Sequence, residues 1–321
     1  MVDFFECIKK GDLNLLLNNN SFDLNSKDSS SRSAIYYACL YNHFEILNYL
    51  IINNANLNIT DKDGETPLFE ACRKNKFLAI KLLVDNGASI SIKNKKGETP
   101  LHYACKNNDV DVLKYLISMD SDVLNIFDSS YKTPLHYAVL SGNINNVKYI
   151  IDELNFNINV LDFAKNSLMH YAAYQANTDM IIYFIEKGLD INQLNDQFET
   201  PFFYAVKIGM KNCVKIFLDN FIYIEIKNKR FETIFHVLDN SGEIYEMISD
   251  FEKSARYSSY IKKNKLQLLI LNRDFSSIKE FCSNKELVGY DFFNKSPLFY
   301  AKKYKFNSIV ELIKRTYPVL I

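Results

Sequence analysis

Five histidines and six cysteines are the side chains of this 321-residue sequence best suited to metal, acid–base or nucleophilic chemistry, and their spacing decides between chemistry and packing. His102, His136, His170 and His236 fall in one phase of a period of 33 or 34 residues, and Cys39, Cys72 and Cys105 fall in another. A shared metal needs each imidazole nitrogen about 2 Å from the one ion, and a catalytic thiol needs a base placed beside it. Side chains repeated at a fixed period each meet the same local surroundings instead. The cysteines show no C-x-x-C pair, which argues against a zinc knuckle and a disulfide framework, and free cysteine packs as a small apolar side chain. Tyr37, Tyr103, Tyr137, Tyr171, Tyr204 and Tyr300 also recur in phase. Such a ladder could stack nucleobases; packing of large amphipathic rings between repeats is the stronger reading. There is no glycine-rich phosphate loop.

The elements that position these side chains repeat with them. Thr66-Pro67-Leu68-Phe69-Glu70-Ala71 returns as Thr99-Pro100-Leu101-His102-Tyr103-Ala104 and Thr133-Pro134-Leu135-His136-Tyr137-Ala138. Weaker copies begin at Ser33, Ser167, Thr200, Thr233 and Ser296, and a degenerate one runs through Leu266 to Leu269 and on to Phe281. Thr or Ser caps a helix, Pro follows at the first helical position where its missing N–H costs nothing, and Leu and Ala face inward at helical spacing. A polar turn then leads to a second amphipathic stretch, such as Val110, Leu113, Leu116 and Ile117. A left-handed residue (Asn54, Gly87 or Gly188) and an extended segment complete the unit.

This pattern resembles the ankyrin repeat, over essentially the whole chain. The resemblance implies an all-α solenoid of stacked helix-turn-helix units with projecting β-hairpin-like loops, each unit burying its neighbour. The expected organisation is a single array: a capping hairpin in 1–27, regular repeats in 28–240, an irregular segment in 241–263, and divergent repeats with a C-terminal cap in 264–321. It also implies that the phased histidines bond neighbouring loop backbone, about 10 Å apart, and that His43 occupies a turn where the family often has histidine. Asn58, Asn159 and Asn192 lie where the family can be hydroxylated; backbone bonding by a turn asparagine is the preferred reading.

In that family a partner lies against the loop tips and the open side of the first helices. Position by position this selects Lys62, Asp63, Glu65, Arg73 and Lys74, then Lys95, Lys96, Glu98, Lys106 and Asn107. The next units supply Ser130, Lys132 and Leu140, then Phe163, Asn166, Tyr174 and Gln175, then Gln197, Glu199 and Lys207. The family's tip glycine is kept as Gly64 and Gly97, but Tyr131, Lys165, Phe198 and Phe231 stand in its place elsewhere. Aromatic residues resist the left-handed backbone that glycine permits, so these tips are expected to turn differently or to bear strain. Tyr131, Phe198 and Phe231 either form a natural set of anchors or fold back to cover their hairpins, and the partner is expected to span 95–231.

Composition narrows the function. Lys plus Arg and Asp plus Glu number 38 each, so no uniform positive field draws nucleic acid. The N-terminus lacks the basic and apolar regions of a signal peptide, and no long apolar run could span a bilayer. The expectation is a monomeric, cytoplasmic, non-catalytic scaffold for a protein partner, as an adaptor or a host-directed factor, with no cofactor, metal, small-molecule substrate or membrane insertion. Nucleic-acid binding by the basic residues 227–321, and a divergent enzyme in 240–321, rank behind it.

Overall fold

The computed structural model describes residues 4–18, 22–107, 109–238, 242–284, 288–291 and 295–318, which divide into two units, Met1–Phe163 and Ala164–Ile321. Helices start where the sequence places their caps. Ser33, Thr66, Thr99, Thr133, Ser167, Thr200, Thr233 and Ser296 all sit in extended N-cap conformation. Proline follows at the first helical turn after Thr66, Thr99, Thr133, Thr200 and Ser296, where its fixed φ suits the helix and no bond is lost. Many of the helices are followed by left-handed residues, among them the expected Asn54, Gly87 and Gly188.

The first unit holds five hairpins: α1 (Phe4–Lys10) with α2 (Leu13–Leu17), α3 (Ala34–Tyr41) with α4 (Phe44–Ile52), α5 (Pro67–Arg73) with α6 (Phe77–Asp85), α7 (Pro100–Ala104) with α8 (Val110–Met119), and α9 (Pro134–Leu140) with α10 (Ile144–Lys148). First helices pack on first helices from α1 to α9, and second helices on second helices from α4 to α10. Leu68, Ala71, Leu101, Ala104, Leu135 and Ala138 are buried between them. Each such leucine stabilises the stack by roughly 1.5–3 kcal/mol, and each alanine lets the next helix approach.

In the second unit α11 (Leu168–Tyr174), α13 (Pro201–Ile208) and α15 (Ile234–Val237) form the first row, and α12 (Thr178–Glu186), α14 (Lys211–Asp219) and α16 (Glu243–Lys253) the second. The next helix, α17 (Ala255–Leu271), packs along α16 and breaks its helical dihedrals at Asn264. With α18 (Phe275–Ser283), α19 (Pro297–Lys303) and α20 (Asn307–Thr316) it builds a second pair of hairpins. This pair leans on the extended segments 189–198 and 221–228. Tyr304 Oη accepts from Leu194 N (3.0 Å), Lys303 pairs with Asp190 (2.5 Å), and Asn272 Oδ1 accepts from Lys227 N (2.9 Å). Leu194, Tyr223 and Ile226 thereby join a core with Leu266, Ile270, Leu298 and Tyr300. Residue 241, where the irregular segment is expected to begin, lies outside the described residues. Among the described residues the secondary structure is helical apart from isolated bridge residues, Lys27 paired with Ser33 among them, and no helix is long and apolar enough to cross a membrane.

Candidate partner-binding surface

Every well-formed loop tip is built on one Asp or Asn. Asp61 Oδ1 accepts from Asp63 N and Glu65 N, both at 2.9 Å, and Asp28, Asn94, Asp128, Asn195 and Asn228 each do the same two and four residues on. The side chain supplies the acceptor that the turning backbone lacks. In the first unit the tips then bond to one another in series. Lys62 N donates to Ser30 O, Lys95 N to Asp63 O, Ser129 N to Lys96 O and Phe163 N to Ser130 O, at 2.8–3.2 Å. The result is a backbone ladder whose outward side chains keep a fixed order.

The tips without glycine keep the glycine conformation. Tyr131, Lys165, Phe198 and Phe231 have φ of 60°, 60°, 60° and 61°, beside 79° and 76° at Gly64 and Gly97. They therefore bear strain and do not turn differently, because the Asx bonds and the tip-to-tip bonds over-determine the backbone. The cost is about 1–2 kcal/mol at each. Among the described residues Lys165 makes one largely exposed ion pair, with half-buried Asp196, worth little. Lys165→Gly is therefore expected to raise the unfolding free energy by about 0.5–1 kcal/mol, net of the extra entropy of an unfolded glycine, in a chemical-denaturation series. An unchanged or lower value rejects the strain.

The substituted tips differ in what covers them. Tyr131 is 56% and Phe163 71% exposed, their ring centroids 5.9 Å apart, and half-exposed Phe127 packs on Tyr131 at 6.1 Å. Phe127 lies off the repeat motif, so its place in this aromatic patch is invisible to motif spacing. In the second unit Phe231 is 75% exposed, whereas Phe198 folds back: the Arg273 guanidinium lies 3.7 Å above its ring and Lys229 5.6 Å away. Phe198 is thus occupied by the chain's own C-terminal hairpins. Gln197 and Lys207 are exposed, the latter on Glu199, and Tyr174 and Gln175 are exposed at the end of α11 while Asn166 is half-buried.

Inside the first unit the tips and first helices enclose a groove of about 620 Å³, lined by Arg32, Tyr36, Lys62, Arg73, Lys95, Lys96 and Tyr103 among others. Its carboxylates are largely committed. Arg73 bridges Glu65 and Glu70. Glu98 accepts from Tyr103 Oη (2.9 Å), Tyr137 Oη (2.8 Å) and Asn94 Nδ2 (2.8 Å), bonds that hold its carboxyl below the usual range against the effect of burial. Burial and these carboxylates push the Tyr103 and Tyr137 phenols well up. Glu65, Glu98 and, in the second unit, Glu199 are buried, so of the selected acidic residues only Asp63 offers itself fully to a partner. Lys62, Lys74, Lys95, Lys96 and Lys106 are exposed, with Lys106 Nζ 4.7 Å above both the Tyr103 and Tyr137 rings. Exposed Ser130 and half-buried Lys132 share a tip, while Asn107 and Leu140 are half-buried at the far ends of their hairpins, where Asn107 Nδ2 donates to Cys72 O.

The phased histidines serve the helix caps. Nδ1 of His102, His136, His170 and His236 accepts from the backbone N–H of the capping Thr or Ser at 3.0–3.1 Å. The Nε2 atoms of His102 and His170 face Lys132 O (3.2 Å) and Glu199 O (3.1 Å) of the following loop. Burial pushes His102 and His136 down to about 4. At the corresponding place in α17 Gln267 makes only the second kind of bond, Nε2 donating to Gly289 O (2.6 Å) of a following segment and to Asn264 Oδ1 (3.1 Å). The Asn264-x-x-Gln267 spacing is the signal that would have found it. His43 Nε2 faces Lys9 O at the hairpin turn (3.1 Å). All six cysteines are free and buried, and burial raises the thiols of Cys39, Cys72 and Cys105 far above the usual range. Asn58 and Asn192 bond the next segment, accepting from Ser89 N (2.9 Å) and Tyr223 N (3.1 Å), and Asn159 is exposed. Among the described residues no three His, Cys, Asp or Glu converge on a point where a metal could sit.

Family models described as "Ankyrin repeats (3 copies)" match residues 4–94 and 79–162, and one described as "Ankyrin repeats (many copies)" matches 169–218. The chain belongs to the ankyrin-repeat family. Ankyrin repeats generally mediate protein–protein interaction. Among solved structures the chain is similar to the human ASB11 ankyrin repeat domain, at 21% identity and a TM-score of 0.59, covering 68% of this chain and 98% of that one. That likeness carries the fold, an all-α solenoid of helical hairpins. A search of curated proteins finds no match to this ankyrin-repeat sequence.

Proposed function

We propose that this ankyrin-repeat chain is a non-catalytic scaffold that binds one protein partner on the tip ladder and groove of its first unit. The observation that carries the reading is the contrast along that ladder. Carboxylates, imidazoles and phenols are tied into the architecture, while Tyr131, Phe163 and the groove lysines project without a structural task. Clustered exposed rings mark contacts, because they bury much area at little entropic cost. Catalysis finds no support in the cysteines, which lie buried with thiols held protonated. Buried free cysteines suit a reducing compartment, and the reading places the protein in the cytoplasm as a monomer, serving as an adaptor or a host-directed factor. Base stacking by the tyrosine ladder is disfavoured, since Tyr137 and Tyr300 are buried and their hydroxyls are held by carboxylates.

The test is quantitative capture from source-cell lysate by the full chain and by Tyr131→Gly/Phe163→Ser. Loss of two anchors is expected to lower recovery of the partner about tenfold or more, with the far-UV helical signal intact. Equal recovery by both chains rejects the assignment.

A further inference from the structure

The ladder of the first unit changes character along its length. Lys62, Asp63, Lys95 and Lys96 occupy two successive tips, and Tyr131 and Phe163 the next two, in an order fixed by the tip-to-tip backbone bonds. Around the first two tips the charges that face solvent do not balance. Glu65, Glu70 and Glu98 are buried, held by Arg73, by the Tyr103 and Tyr137 phenols and by Asn94, and half-buried Asp61 caps its own turn. Lys62, Lys95 and Lys96 face solvent with no carboxylate in ion-pair range among the described residues, and exposed Lys106 lies over the Tyr103 and Tyr137 rings. Against them stands only the exposed Asp63. The solvent-facing side chains of these two tips therefore carry a net positive charge, although the chain as a whole is neutral.

We infer that the partner reaches this surface through an extended acidic peptide segment, its carboxylates on Lys62, Lys95 and Lys96 and an apolar side chain on the Tyr131 and Phe163 rings. This rests on the protein-binding reading above and names the chemistry of the partner. Four tips at the 8–10 Å spacing of packed helices extend over about 30 Å, which an extended chain covers in about nine residues. A peptide fits better than a nucleic acid. The Tyr103 and Tyr137 rings carry Lys106 on their faces and hand their hydroxyls to Glu98, leaving no platform for a base. Exposed Asp63 among the lysines can accept from a peptide N–H, a donor that a phosphate backbone lacks.

The experiment selects random displayed peptides of about twelve residues, long enough for that span, on the full chain and on Lys62→Glu/Lys95→Glu/Lys96→Glu. Binders to the unaltered chain are expected to be several-fold enriched in Asp and Glu, to carry an aromatic or aliphatic residue toward one end, and to lose affinity about tenfold or more on the variant. The three lysines are exposed, so the variant is expected to keep its thermal transition, and Lys→Ser at the same positions serves as a second variant. No acidic enrichment, the same peptides on both chains, or no binder at all overturns the proposal. So does an oligothymidylate that binds the unaltered chain and not the variant, which assigns the lysines to nucleic acid. If lysate capture fails in Tyr131→Gly/Phe163→Ser but survives the lysine reversal, the scaffold reading stands and the acidic partner falls. If capture responds to neither, both fall.

Discussion

Lowering the pH from 7 to 4 is expected to remove on the order of 6 kcal/mol of stability through two histidines alone. His102 and His136 have folded-state values of about 4, set first by burial, against 6.5 when exposed to water. A depressed histidine favours the neutral ring in the folded chain. Its contribution is therefore fully present above 6.5, declines as the pH falls toward 4, and is gone below it; 2.5 units correspond to about 3 kcal/mol for each ring. The structural reason is the cap. Nδ1 must accept from the backbone N–H of Thr99 or Thr133, and a proton on that nitrogen turns the bond into a repulsion between donors. The Asp28 carboxyl, held at about 2 by Tyr37, Arg32 and backbone N–H groups against burial, gives up its share only below 3.8, outside this window. Denaturant midpoints at pH 7.5 and 5 should separate sharply for the unaltered chain and much less for His102→Gln/His136→Gln, since glutamine can take the same capping post without titrating. Parallel pH profiles in the two chains reject the account.

Replacing Arg73 by Met is expected to cost about 3–5 kcal/mol, more than an exposed arginine at a loop edge normally contributes. The guanidinium is about one-third exposed, yet it is the partner of Glu70, whose side chain is only 3% exposed, as well as of Glu65. Glu65 keeps Asn94 Nδ2 and Tyr103 Oη when Arg73 is removed. Glu70 loses its charge partner inside the stack, within electrostatic reach of Cys39. The penalty comes from the stranded carboxylate, so Arg73→Met/Glu70→Gln is expected to recover a large part of it, and a double-mutant cycle in chemical denaturation measures the difference. A double variant as unstable as Arg73→Met shows that the loss lies in packing of the arginine stem. Partner capture is the wrong readout for this position, because Arg73 shapes the groove first.

Much of the fold was legible because its causes are local. A Thr-Pro pair starts a helix by capping and by a fixed φ, and a histidine three residues after the cap returns to bond it; both lie within one turn, so spacing alone reveals them. Gln267 stands three residues after Asn264 in the same way, but it bonds the Asn264 side chain and the Gly289 carbonyl and does not accept from a cap N–H. The site was legible only in part. Glu65, Glu98 and Glu199 fall at tip positions, yet each is buried because a phenol, an amide, a lysine or an arginine of its own or a neighbouring repeat reaches it. Phe127 joins Tyr131 from outside the motif, and Phe198 is lost to a guanidinium 75 positions later in the chain.

By itself the sequence determined the hairpins, their caps, their period and the commitment of the histidines, since each follows from bonds that a single repeat or its neighbour can satisfy. Tertiary structure alone decided which tip residues remain free. It also turned the C-terminal hairpins onto segments 189–198 and 221–228, because Tyr304, Lys303, Asn272 and Arg273 meet partners far away in sequence. Burial of Leu194, Tyr223 and Ile226 in that second core depends on distances that no period encodes.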